Sequence, residues 1–199
     1  MSQPTTIARA SAAGQAATKT LPPGALLPTT FVAIDFETAD AEPDSACAIG
    51  LVRVESAVIT DRVYRLIRPP RRSIPHTFVH GLAWAHLRTQ PIFSRIWTEI
   101  APFLEDAEVL VAHNAGFDRS VLHACCRQAR VPPPDVPWVC TVELARETWP
   151  TLPSARLPSV ALHLGIALQH HHALSDAEAC AQILLAARRR RTGADPGTQ

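Results

Sequence analysis

The sequence predicts an α/β fold, a mixed five-stranded sheet flanked by helices. Three observations carry this prediction. Residues 31–38, FVAIDFET, form a β-branched and aromatic run of the kind found in central strands covered on both faces. Two more strand patterns follow at once, at 47–54 and 57–67, separated only by the polar Glu55–Ser56 turn, which makes them antiparallel neighbours. Beyond about residue 91, short apolar strands alternate with helical periodicity, the order that builds parallel strand–helix units.

Taken in order, the first strand ends in carboxylates, so its C-terminal end presents polar groups. Arg68-Pro69-Pro70-Arg71-Arg72 then interrupts the sheet pattern. Pro91 is placed to open an amphipathic helix, with Ile92, Ile96, Trp97, Ile100 and Phe103 near helical spacing. EVLVAH at 108–113 is another buried strand, and 117–130 a helix stopped by Pro132, Pro133 and Pro134. A short strand near 138–140 leads to a helix at 142–148, and helices at 157–164 and 173–190 complete the set.

The 199 residues suffice for one domain, and 47% hydrophobic with 19% charged residues excludes a wholly disordered chain. Residues 1–29 are rich in Ala, Thr, Ser, Gln, Pro and Gly without periodicity, and 191–199 look similar; both are expected to be flexible tails around a domain at 30–190. Five cysteines, with no CxxC pair, argue against a disulfide framework or a zinc knuckle and for free thiols in a reducing cytoplasm. There is no apolar run near the roughly 20 residues that cross a bilayer, and no signal-peptide core, so a cytoplasmic location without a membrane partner is expected. Nineteen basic against eighteen acidic side chains leave a net charge of +1, without the basic excess of a protein that coats nucleic acid.

The acidic residues are more informative. Asp35 and Glu37 flank Phe36, and period-two alternation sends both carboxylates to one face and Phe36 to the other. Such a pair either binds a divalent cation or is solvated where the strand stops. Asp118 follows a strand within the first turn of a helix, where the helix dipole by itself also accounts for an acid. Asp176 stands in HHHALSDAEA at the start of the last helix, with Glu178 on a different face. Taken together, a strand-end pair, an acid after a second strand and an Asp behind a histidine run suggest one assembled site.

These motifs resemble the DEDDh family of 3′→5′ exonucleases, the group containing the proofreading ε subunit of bacterial DNA polymerase III. The first motif is Asp35-Phe36-Glu37-Thr38, the second His113-Asn114-Ala115-Gly116-Phe117-Asp118, and the third His171-His172-Ala173-Leu174-Ser175-Asp176-Ala177. Val79-His80-Gly81-Leu82 matches the HG(I/L) loop between the first two. The resemblance spans residues 31–187 and implies a ribonuclease H-like fold.

The resemblance further implies a metal-dependent hydrolase releasing nucleoside 5′-monophosphates from single-stranded 3′ ends of DNA or RNA. Asp35, Glu37 and Asp176 would hold two Mg²⁺ ions, with Mn²⁺ as substitute, and Asp118 would complete the site. His171 would be the general base, because the family spacing His-x4-Asp selects it over His170 and His172. Phe36, Thr38, His80 and Leu82 would lie against the terminal nucleotide, and Asn114 would fix the loop ahead of Asp118. An RNA-trimming enzyme and a silent nucleic-acid-binding subunit are the alternative readings, and a polymerase partner stands beside a freestanding repair role. Arg65, Arg68, Arg71 and Arg72, and the run at 188–191, are either phosphate contacts or solvated charge. For most of Trp84, Trp97, Trp138 and Trp149, core packing is the simpler expectation.

Overall fold

The computed structural model of the protein describes residues 27–193. β1 (Phe31–Thr38) sits mid-sheet because it is apolar toward both sides. It pairs antiparallel with β2 (Ala46–Glu55), which pairs antiparallel with β3 (Val58–Leu66). On its other edge β1 runs parallel to β4 (Val109–Ala112), and β4 runs parallel to β5 (Trp138–Cys140). The order β3-β2-β1-β4-β5 is the mixed five-stranded sheet that the sequence predicts.

Seven α-helices lie among the described residues: α1 (Thr77–His80), α2 (Trp84–Leu87), α3 (Phe93–Ile100), α4 (Ala115–Ala129), α5 (Thr141–Thr148), α6 (Leu157–Leu164) and α7 (Ala173–Arg191). Alternation along β1 feeds two cores. Phe31 and Ala33 pack with residues of α5, α6 and α7, whereas Val32, Ile34 and Phe36 pack with those of α3 and α4. Asp35 and Glu37 continue the first series, so they face the α7 layer at the strand's C-terminal end. Burial of each large side chain here, such as Ile34 or Leu122, stabilises the fold by roughly 1.5–3 kcal/mol.

The boundaries differ from expectation in a few places, each with a local cause. Pro91 does not open α3; its carbonyl accepts the N–H of Arg68 at 2.9 Å, and the helix begins two residues on, after an extended Ile92. Pro102 ends α3 in a turn of 3-10 helix that contains Phe103. The single turns α1 and α2 carry no periodicity long enough to read from sequence. Residues 1–26 and 194–199, which hold most of both expected tails, lie outside the described residues. Leu27, the first described residue, is buried in the α7-side core, and Glu108 accepts hydrogen bonds from the N–H groups of Thr29 and Thr30.

Gly50, in the interior of β2, sets how near α7 comes to the sheet. It pairs with Asp35 across the ladder, and a Cβ placed on it would overlap the carbonyl of Ala173 and the N–H of Leu174. Both obstacles are backbone, so neither can swing aside. Farther along, Glu178 of α7 accepts a two-pronged hydrogen bond from Arg62 of β3, at 3.0 and 2.9 Å. That pair is partly exposed and contributes under about 1 kcal/mol; the glycine contact is the stricter constraint. Gly50→Ala is therefore expected to lower the unfolding free energy by roughly 1–3 kcal/mol, as overpacking does. Urea melts read this directly, and an unchanged midpoint would show that α7 can lift off the sheet without cost.

Candidate active site

The four acids arrive from three elements. Asp35 and Glu37 come from β1. Asn114 adopts the left-handed conformation (φ 63°), turning the chain from β4 into α4 and placing Asp118 in that helix's first turn. Asp118 is buried, and its Oδ1 accepts the N–H of Phe36 at 3.0 Å, which ties the start of α4 to the backbone between Asp35 and Glu37. Asp176 stands in the first turn of α7, three residues after the contact with Gly50. Carboxylate oxygens of Asp35, Glu37 and Asp176 lie within 4.8 Å of one another.

The three consecutive histidines have three different surroundings. His172 caps α7: its Nδ1 accepts the N–H of Ser175 at 3.4 Å, and its ring stacks on Tyr64 with centroids 4.6 Å apart. His171 sits in a reverse turn closed by the His172 N–H on the Gln169 carbonyl, with φ at +64°. Its own N–H donates to Asp176 Oδ2 at 3.1 Å. His170 Nδ1 lies 2.9 Å from that same oxygen, and its ring stacks on His171 at 3.8 Å. His170, His171 and Asp176 thus form a second close set of metal-ligating atoms beside the carboxylate trio.

Crowding raises the acid pKa values. Burial, then the neighbouring charges of Asp118, Asp176 and Glu37, lifts Asp35 well above the carboxylate range. Burial and Asp176 push Glu37 up to about 7. Burial pushes Asp118 up to about 8, against the lowering effect of the Phe36 N–H. Asp176 is raised by burial, which outweighs the His171 N–H and His170. His171 is lowered, by burial and then by His170.

The donor set fits a hard divalent cation. All three converging groups offer oxygen, as magnesium and manganese require. Asp176 Oδ1 is buried without a hydrogen-bond partner, although its other oxygen accepts two contacts. An orphaned oxygen on a carboxylate that has two more carboxyl groups close by is costly unless a cation shares it.

Asp35, Glu37 and Asp176 open into a cleft of about 360 Å³, whereas Asp118 is buried and does not line it. Phe36, Thr38, His80 and His171 line it, as do His76, Phe78, Phe117 and His170, which the sequence reading does not single out as site residues. His80 has both ring nitrogens engaged: Nδ1 accepts the Leu82 N–H at 3.0 Å, and Nε2 lies 3.2 Å from the Thr38 carbonyl. His76 Nδ1 lies 3.1 Å from the same carbonyl. Leu82 is outside the lining and packs against Ala39, Cys47 and Leu87, while Asn114 borders a neighbouring cavity of about 880 Å³. Phe78 and Phe117 are 86% and 43% exposed, and an exposed aromatic beside an acid cluster is the signal that could have marked them.

An exonuclease family model, RNase T, matches residues 32–184. The chain belongs to the RNase T exonuclease family. It is 31% identical over 167 residues to the DNA polymerase III subunit epsilon of Aquifex aeolicus, across 80% of this chain and 81% of that subunit. It is 34% identical over 160 residues to the PolC-type DNA polymerase III of Thermotoga maritima, across 78% of this chain and 12% of the polymerase. The chain thus spans a small part of the PolC-type relatives it matches. Among solved structures, the nuclease domain of 3′hExo, a DEDDh family member bound to rAMP, shares the fold with TM-score 0.68 and 16% identity, over 83% of this chain and 93% of that one. The mixed sheet is accordingly that of the ribonuclease H-like exonucleases. No helix among the described residues is long and apolar enough to cross a membrane.

The raised pKa values give this acid cluster a testable signature. Ionising acids whose pKa is raised by folding opposes the fold, so their contribution is complete below about pH 4 and is lost as pH climbs through about 7 for Glu37 and about 8 for Asp118. In chelator the melting temperature should fall between about pH 5.5 and pH 8. Mn²⁺ or Mg²⁺ should restore it, with a larger rise at the higher pH, where the ligands are ionised without the cation's help. A metal-induced rise that is absent, or equal at both pH values, would contradict this electrostatic account.

Proposed function

We propose that the protein is a metal-dependent 3′→5′ exonuclease that hydrolyses phosphodiester bonds at single-stranded 3′ ends, DNA foremost, releasing nucleoside 5′-monophosphates. The convergence of Asp35, Glu37 and Asp176 on one point, with a buried Asp176 oxygen lacking a partner, carries this reading. Those three residues hold two magnesium ions, for which manganese substitutes, and Asp118 completes the acid set. When bound, the ions supply charge stabilisation at the phosphoryl oxygens and make water a better nucleophile.

The remaining work falls to the chain's own side chains. His171 accepts the proton of the attacking water on a ring nitrogen. Its ring lines the cleft, among the described residues no hydrogen bond occupies its ring nitrogens, and its lowered pKa keeps it neutral near pH 7. His170 braces Asp176 and stacks against His171, a positioning role. Phe78 and Phe117 offer faces on which the terminal nucleotide stacks. Phe36 and Thr38 meet the 3′ end through the backbone and hydroxyl at the end of β1. His80, with both nitrogens engaged, acts by holding the α1 loop against Thr38, and Leu82 and Asn114 act as supports for the cleft's walls.

The ε subunit among the relatives supports DNA as substrate and a polymerase as partner. The rAMP in the 3′hExo nuclease domain supports the second reading, trimming of RNA 3′ ends on the same scaffold. The presence of all four acids and His171 speaks against a silent binding subunit.

Incubation with Mg²⁺ or Mn²⁺ and 5′-labelled single-stranded DNA should give a ladder shortening from the 3′ end, with RNA cleaved more slowly. Absence of a ladder on both polymers would end the exonuclease reading. Asp35→Asn or Asp176→Asn should lower kcat on the order of 10³-fold, the scale of the charge stabilisation lost. His171→Ala should lower kcat by roughly 10²–10⁴-fold while the metal-induced rise in melting temperature persists, and near-normal turnover would remove the base from this residue. Phe78→Ala should act mainly on KM, raising it about tenfold, the loss of one stacked base.

A further inference from the structure

The structure sorts the arginine cluster after β3 into paired and unpaired cations. Arg65 is held by Glu99 at 3.0 Å, and Arg71 by Asp40 and Asp44. Among the described residues no carboxylate pairs with Arg68 or Arg72, and Arg88, just past α2, joins them in the same condition. All three line one open cavity of about 610 Å³ together with Trp84 and Ile92, and no acidic side chain lines it. The Arg68 N–H on the Pro91 carbonyl, at 2.9 Å, joins the two segments that carry these cations. Trp84 remains partly exposed here, whereas Trp138 and Trp149 are buried at 4% and 6%.

Three unneutralised guanidinium groups around an indole form a site for a polyanion that also offers flat rings. Guanidinium binds phosphate in two-pronged geometry, and indole stacks on bases. The location favours nucleic acid over an acidic protein segment. One short stretch of chain supplies Phe78, Val79 and His80 to the catalytic cleft and then Trp84 and Arg88 to this cavity. We propose that the cavity is a second nucleic-acid contact, binding phosphodiesters of the strand upstream of the 3′ end that occupies the cleft. This placement rests on the exonuclease reading given above. It makes the protein a length-sensing enzyme: short substrates use the cleft alone, and longer ones use both contacts.

The test compares wild type with Arg68→Ala/Arg72→Ala/Arg88→Ala, with Arg72→Glu as a single-site variant at an exposed loop position. In chelator, fluorescence anisotropy reads binding of a labelled DNA single strand of about 12 nucleotides, a length within the usual single-strand site sizes. The triple variant should flatten the slope of log K against log salt by about 2, near 0.7 for each lost phosphate contact. With metal present, KM for that strand should rise about tenfold or more at unchanged kcat, while hydrolysis of the p-nitrophenyl ester of thymidine 5′-monophosphate stays as in wild type. Arg72→Glu should move both readouts in the same direction. Unchanged slope and KM in both variants would overturn the proposal. So would a loss of poly-glutamate binding with oligonucleotide binding intact, which would give the cavity to an acidic protein. Failure of the wild type to cleave either substrate would refute the exonuclease reading instead, and the chelated binding slope would still decide the cavity.

Discussion

The acid-bearing end of this molecule depends on how closely the first turn of α7 can approach the sheet at Gly50. Asp35 is the cross-strand partner of that glycine, and Asp176 lies three residues past the backbone that rests on it. The contact therefore fixes the separation of two carboxylates that repel each other. Raising Glu37 from 4.5 to about 7 corresponds to about 3 kcal/mol against its ionised form. Burial of Ile183 and Leu184 on α7 offsets a cost of that size, at roughly 1.5–3 kcal/mol each. Apolar packing along the helix thus holds charged groups at its end in an arrangement they would not choose alone.

The other helix at this end follows the same logic. Asp118 and Asp176 both occupy first turns, where the partial positive charge of a helix N-terminus favours an anion. Two helices on opposite faces of the sheet deliver their N-termini to the point where β1 ends. Asp118 also accepts a hydrogen bond from β1 itself, so it ties the strand carrying two acids to the helix carrying a third.

Much of this was legible in the sequence because it follows from short-range rules. Alternation in FVAIDFET places Asp35 and Glu37 on one face and Phe36 on the other, and the division of the strand's apolar residues between two cores follows that pattern. A glycine inside an apolar strand signals a close backbone approach, yet only the fold reveals that Ala173 makes it. The family resemblance singles out His171 by its spacing to Asp176, but the environments of His170 and His172 are set by a turn and a cap that spacing does not encode. Leu27 has apolar character and no periodic neighbours, so its place in the core depends on α7, far along the chain. Within the cluster of Arg65, Arg68, Arg71 and Arg72, which are neutralised is decided by Asp40, Asp44 and Glu99, residues that come near only once the sheet is formed.

The left-handed backbone at His171 has a consequence for engineering. A residue with a Cβ costs on the order of 1 kcal/mol in that conformation, and glycine would relieve most of it. A search for hardier variants of this protein by melting temperature alone would be drawn to position 171. It would find sequences that fold better and have discarded the imidazole in the cleft. The strain is small beside the stability of the whole domain, and on the proposed role of His171 it marks the place where durability and turnover pull in opposite directions.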